Sequence, residues 1–161
     1  MKKIKLMING DEVDAEINPR TSLADFLREK CRLTSIHLGC EHGVCGACSV
    51  LLDDHPIRSC IMLAVACEGS EVHTLEGLDD DPMIVILRDA FHEKHGLQCG
   101  YCTPGMLITA RDILKRIENP DERSIRQELS GNICRCTGYV GIIRAVERAA
   151  EAIKDKGLEI P

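Results

Sequence analysis

The hydrophobic pattern changes its period once along the chain. Near the start, Ile4, Leu6 and Ile8 alternate with polar residues, and Val13, Ala15 and Ile17 alternate again after a gap. A period of two lays one side of a strand on a core. Asn9-Gly10-Asp11 between the runs is a tight-turn signal, so they form an antiparallel hairpin. Pro19 stops the second strand, and Thr21 or Ser22 can cap a helix that puts Leu23, Phe26 and Leu27 on one face. Residues 49–52 and 57–60 flank Asp53-Asp54 as a second hairpin, and 71–75 reads as a last strand.

From residue 76 the period becomes helical. The stretch 76–82, EGLDDDP, is acidic and carries a glycine and a proline, which marks a linker or domain boundary. Ile84, Leu87 and Phe91 open a helix that should stop near Gly96. Met106, Ala110, Ile113, Leu114 and Ile117 share one face of a second helix, ending before Asn119-Pro120. A shorter third runs from about 121 to 129, and Ile142, Ile143, Val146, Ala149, Ala150 and Ile153 define a fourth. Short connections between four such helices predict an antiparallel four-helix bundle. The fold class is therefore α+β, with a β-rich domain at 1–76 and a helical domain at 77–161.

Composition narrows the function. At 161 residues the chain can bury a core of its own, and 44% hydrophobic residues make it globular. Aromatics are 2% with no tryptophan, too few for a stacking platform on single-stranded nucleic acid. A net charge of -6 leaves no basic stripe for phosphate backbones. No apolar run has the length of a membrane span, and Lys2-Lys3 is followed by alternation rather than a signal-peptide core. These features predict a cytoplasmic protein.

Ten cysteines then need a role in a reducing compartment, where disulfides are rare and clustered thiols bind metal or do redox chemistry. Cys40, Cys45 and Cys48 lie in GCEHGVCGAC at C-x4-C-x2-C spacing, with Cys60 a short hairpin downstream. That is the plant-type spacing for a 2Fe-2S cluster. Two irons bridged by two sulfides need thiolates from several directions, so the loop must wrap the cluster. Gly39, Gly43 and Gly46 permit the wrap and let amide N–H groups approach the sulfurs. Structural zinc and disulfides are the alternatives, but Cys45 and Cys48 have no second C-x2-C knuckle at zinc-finger distance.

A second set of four stands in the helical half. Cys99 and Cys102, in QCGYCTPG, precede the second helix, and Cys134 and Cys136, in GNICRCTGY, precede the fourth. Both loops carry a Cys-Thr step before the helix. A cluster between them would rest on two helix N-termini, whose free N–H groups favour an anion. A four-thiolate zinc site remains the alternative here. Cys31 and Cys67 fall outside both sets and read as small buried apolar residues.

GCEHGVCGAC with Cys60, then QCGYCTPGM, then LSGNICRCTGY, in that order over nearly the whole chain, resembles the small iron-sulfur subunit of molybdenum hydroxylases, the xanthine oxidase and aldehyde oxidoreductase family. The resemblance implies a β-grasp plant-type ferredoxin domain followed by the helical one. It implies that Cys40, Cys45, Cys48 and Cys60 hold one 2Fe-2S cluster, near the surface and facing a medium FAD-binding subunit. Cys99, Cys102, Cys134 and Cys136 would hold the other, buried and close to the molybdopterin of a large subunit. Gln98 and Cys136 would lie against the pterin, and the complex would be a dimer of heterotrimers. The chain would relay single electrons between molybdenum and flavin, with no catalytic residue of its own. A free-standing two-cluster ferredoxin is the alternative function. None of the six histidines is recruited: His37 and His42 flank the first loop, but four cysteines already complete it.

Overall fold

The computed structural model describes residues 1–158; the expected end of the helical domain, 159–161, lies outside them. Strand β1 (Lys2–Ile8) pairs with β2 (Asp11–Ile17) through a turn in which Asn9 and Gly10 both take positive φ, 52° and 87°. That is the type I′ geometry whose twist matches a hairpin. A short helix α1 (Leu23–Asp25) follows, with the Ser22 hydroxyl accepting the Asp25 N–H as its cap. The helix continues as a wider π-type turn over Phe26–Lys30, and Leu23, Phe26 and Leu27 are all fully buried.

Strands β3 (Ser49–Leu52) and β4 (His55–Arg58) form the second hairpin, with Asp53 and Asp54 again at positive φ. The expected strand at 57–60 is thus displaced, and Cys60 sits in the turn after it. Strand β5 (Glu71–His73) stops short of residue 75, where a 3-10 turn (Leu75–Leu78) begins. Sheet order is β2-β1-β5-β3-β4, with β5 parallel to β1 and antiparallel to β3. One core forms under this sheet, around Leu6, Phe26, Val50 and Val72.

Four helices make the second core: α2 (Pro82–Glu93), α3 (Thr103–Arg116), α4 (Glu122–Glu128) and α5 (Val140–Asp155). Their buried faces carry Ile84, Leu87, Phe91, Met106, Ile113, Ile143 and Val146. Gly141 lets α5 touch the end of α2; a Cβ there would stand 2.6 Å from the His95 carbonyl oxygen.

The acidic stretch 76–82 is a tied connection rather than a free linker. Glu76 Oε1 accepts the Ser35 N–H at 2.8 Å, and Oε2 accepts the hydroxyls of Ser35 and of Thr74, the latter at 2.6 Å. Asp81 caps α2 by accepting the N–H groups of Met83 and Ile84. It also accepts Arg111 Nε at 2.8 Å, while Arg111 Nη1 reaches Asp54 at 3.1 Å and Lys115 pairs with Asp54 as well. The turn of the second hairpin is thereby fastened to α3. Among the described residues no helix is long and apolar enough to cross a membrane.

Two candidate iron-sulfur sites

In the loop 39–48, Cys40 Sγ accepts three backbone N–H groups: His42 at 3.3 Å, Val44 at 3.4 Å and Cys45 at 3.3 Å. The Cys45 and His42 amides draw the thiol down to about 6, so a thiolate is stabilised by the loop alone. Gly39 permits the close approach, since a Cβ there would lie 3.1 Å from Cys45 Sγ. Cys60 is pushed up to about 11, by burial first and by the Cys48 thiol next, against the opposing Gly43 amide. The thiols of the first set are close enough to shift one another, Cys45 acting on Cys40 and both Cys48 and Cys40 acting on Cys60.

The thiols of the second set are likewise neighbours. Cys99 Sγ and Cys136 Sγ stand 3.4 Å apart, and Cys99 also accepts the Tyr101 N–H at 3.5 Å. Cys102 is pushed up to about 12 by burial and then by the neighbouring Cys134. Burial would raise Cys134 too, but the Thr137 hydroxyl at 3.2 Å and nearby amides outweigh it and bring it below its ordinary value. The Tyr139 hydroxyl accepts the Cys134 N–H and donates to the Asn132 carbonyl oxygen, both at 3.0 Å, which holds the loop before α5 in shape.

Four neighbouring thiols brought together from two loops are the donor set that a 2Fe-2S cluster would take. A four-thiolate zinc ion needs all four sulfurs around one centre. Among the described residues no three His, Cys, Asp or Glu side chains converge on a single metal ion. All ten cysteines are free thiols, and Cys136 partners Cys99 rather than closing a disulfide with Cys134. The residues present fit a 2Fe-2S cluster in each set. Of the remaining two, Cys67 is buried as expected, whereas Cys31 is only half-buried.

Exposure differs from the sequence-based picture. Cys99 and Cys136 are exposed and Gln98 with them, whereas only Cys134 of that set is buried. The burial expected for the second set is not provided by this chain.

The two sites lie against one another. Ile133 N–H donates to the Cys45 carbonyl oxygen at 2.8 Å, so residues adjoining one thiol of each set are directly bonded. Buried Asn132 accepts the Thr109 hydroxyl at 3.0 Å and Arg58 Nη2 at 3.3 Å, and Arg58 also reaches the Gly131 carbonyl oxygen at 2.8 Å. A Cβ on Gly105 would meet the Gly46 carbonyl oxygen at 2.1 Å, so α3 touches the first loop through its backbone. His37 stacks on Tyr101 with ring centroids 4.6 Å apart, and the Tyr101 hydroxyl donates to the Leu38 carbonyl oxygen. Asn132, Arg58, Tyr101 and His37 thus join the halves. Nothing in the sequence marks them for it, because each meets a partner more than sixty residues away.

Comparison with known proteins agrees with this geometry. Residues 6–75 match the model of the 2Fe-2S iron-sulfur cluster binding domain, and 74–147 match that of the [2Fe-2S] binding domain. The chain is 51% identical to caffeine dehydrogenase subunit gamma from a Pseudomonas strain, over 89% of this chain and 88% of that one. It is 43% identical to the nicotine 6-hydroxylase small subunit of Paenarthrobacter nicotinovorans, over 96% and 93%. Among solved structures, quinoline 2-oxidoreductase from Pseudomonas putida 86 superposes with a TM-score of 0.89 at 45% identity, over 98% of both chains. The aldehyde oxidoreductase of Desulfovibrio gigas gives 0.87 at 34% identity, over 97% of this chain but 18% of that longer one. The spacing of eight thiols and these likenesses agree, and the chain belongs to the small iron-sulfur subunits of the molybdenum hydroxylase family.

Proposed function

We propose that Cys40, Cys45, Cys48 and Cys60 hold one 2Fe-2S cluster in a β-grasp domain at 1–76, and that Cys99, Cys102, Cys134 and Cys136 hold another in a four-helix domain at 77–161. A 2Fe-2S cluster supplies one-electron redox chemistry at each site. The chain's residues set the conditions: amides at Cys40 stabilise its thiolate, the Tyr139 hydroxyl fixes the Cys134 loop, and Asn132 with Arg58 holds the two loops together. No catalytic residue is needed here, and the chain is an electron-transfer subunit.

The observation that carries this reading is the gathering of each set of four thiols from two loops, with the sets joined by the Ile133–Cys45 backbone hydrogen bond. Electrons would pass between a large molybdopterin-binding subunit and a medium FAD-binding subunit in a cytoplasmic dimer of heterotrimers. Exposed Gln98 and Cys136 would meet the pterin, and the set containing Cys40 would face the flavin. Apolar side chains left exposed near both sets, Val44 and Ile61 on one side and Leu97 and Ile133 on the other, suit contact with subunits better than a freely diffusing ferredoxin.

Purification from the native host followed by mass spectrometry tests the reading. Large and medium subunits should co-purify, and substrate should bleach the cluster absorbance. Caffeine, nicotine and quinoline, named in three similar proteins, are nitrogen heterocycles and are the first substrates to screen. A stable monomer with full iron content would favour the free-standing ferredoxin, and a colourless zinc protein would refute both.

A further inference from the structure

Thr103 opens α3 directly after Cys102, and its side-chain oxygen is buried with no hydrogen-bond partner among the described residues. Buried hydroxyls are nearly always paired, since an unpaired one costs about 1–3 kcal/mol. A valine would fill the same space without that cost, so the hydroxyl points to a partner that the protein itself does not supply. The chain shows what such a partner could be. Cys136-Thr137 repeats the Cys102-Thr103 step ahead of α5, and there the Thr137 hydroxyl donates to Cys134 Sγ at 3.2 Å. One threonine of the matched steps thus bonds a sulfur of the second set, and the other, next to Cys102 of the same set, keeps its side-chain oxygen buried with the donor unused.

We propose that Thr103 and Thr137 form a matched pair of O–H···S donors to the second cluster, with Thr103 donating to one of its sulfurs. The inference rests on the reading that Cys99, Cys102, Cys134 and Cys136 hold a 2Fe-2S cluster. Reduction adds one negative charge to such a cluster, and a donor at sulfur favours the more negative state, so the hydroxyl raises the potential of that site. Thr103 is a tuning residue: it neither ligates iron nor meets substrate.

The test is an EPR-monitored redox titration of the intact heteromeric complex carrying Thr103→Val or Thr103→Ser, with iron and sulfide measured on each sample. Thr103→Val should make reduction at the second site harder by up to about tenfold, ~59 mV for one electron. Thr103→Ser should stay near wild type, and the midpoint of the first site should not move in either. An unchanged second midpoint in fully loaded Thr103→Val overturns the proposal. If the valine variant loads poorly, Thr103→Ala removes the hydroxyl without branched bulk and is read against the same two outcomes. Loss of the second signal in both hydroxyl-free variants, with retention in Thr103→Ser, supports the contact. Wild-type complex with half the expected iron and sulfide, or with zinc in the second set, would instead sink the underlying cluster reading, a result distinct from an unmoved midpoint at full loading.

Discussion

Single residues set the electrostatics of the fold's weak points. Glu76 is half-buried, and burial by itself would raise its pKa, but the hydrogen bonds from Ser35 and Thr74 outweigh that and hold it below 4.5. A carboxylate with a depressed folded pKa stabilises the fold above its unfolded value, and the contribution disappears as pH falls through the folded value. Glu76→Gln should therefore lower unfolding stability by about 1–3 kcal/mol at pH 7. Denaturant titrations at decreasing pH should show the gap to wild type closing below 4.5. A gap that stays constant would mean that the charge is irrelevant. Gly46 is a second sensitive point, at φ 73°, where a Cβ would stand 2.5 Å from the Gly131 carbonyl oxygen. Gly46→Ala should cost about 1–3 kcal/mol and separate the first loop from the loop before Cys134. Thermal unfolding and a changed first-site EPR line shape would report it; an unchanged melting curve would contradict it.

At the scale of elements, the loop at residues 131–134 is the hinge piece between the two sites, and Asn132 is its buried anchor. Asn132→Ala leaves the Thr109 hydroxyl without its acceptor and removes one acceptor of Arg58, at an expected cost of about 1–3 kcal/mol. Chemical denaturation measures that loss, and the magnetic interaction between the two reduced sites should weaken as the loops loosen. An intact interaction in a destabilised variant would assign Asn132 to stability alone.

Elements with local causes were legible in the sequence, and those with distant causes were not. Asn9-Gly10 and Asp53-Asp54 announce their hairpins because the turn is made by those residues' own positive φ. Asp81 and Asp121 start α2 and α4 through an equally local cause, capping N–H groups two or three residues on. The two cluster-binding domains were legible because ligand spacing is a local property of each loop. The π-type turn at Phe26–Lys30, which buries Phe26 and Leu27, has no sequence signal. The stretch 76–82, expected as a linker or domain boundary, is tied down at Glu76 and Asp81, which was not legible because their partners Ser35 and Arg111 lie far away in the chain. The exposure of Cys99 and Cys136 was likewise not legible, since it depends on which surfaces the helices leave uncovered.

At the scale of the whole molecule, the protein carries two thiol sets across one interface, with apolar side chains exposed near each set. Cys136→Ser should alter the second EPR signal alone and slow reduction of both sites by substrate, leaving exchange with the flavin side less affected. Unchanged reduction by substrate would remove Cys136 from the electron path. The central claim, that this chain holds two distinct 2Fe-2S clusters, is tested most directly by low-temperature EPR of the reduced complex with spins counted against protein. Two signals of different line shape, each integrating to one spin per chain, are the predicted result. A single signal of one spin, or no signal in a protein that contains zinc, would contradict it.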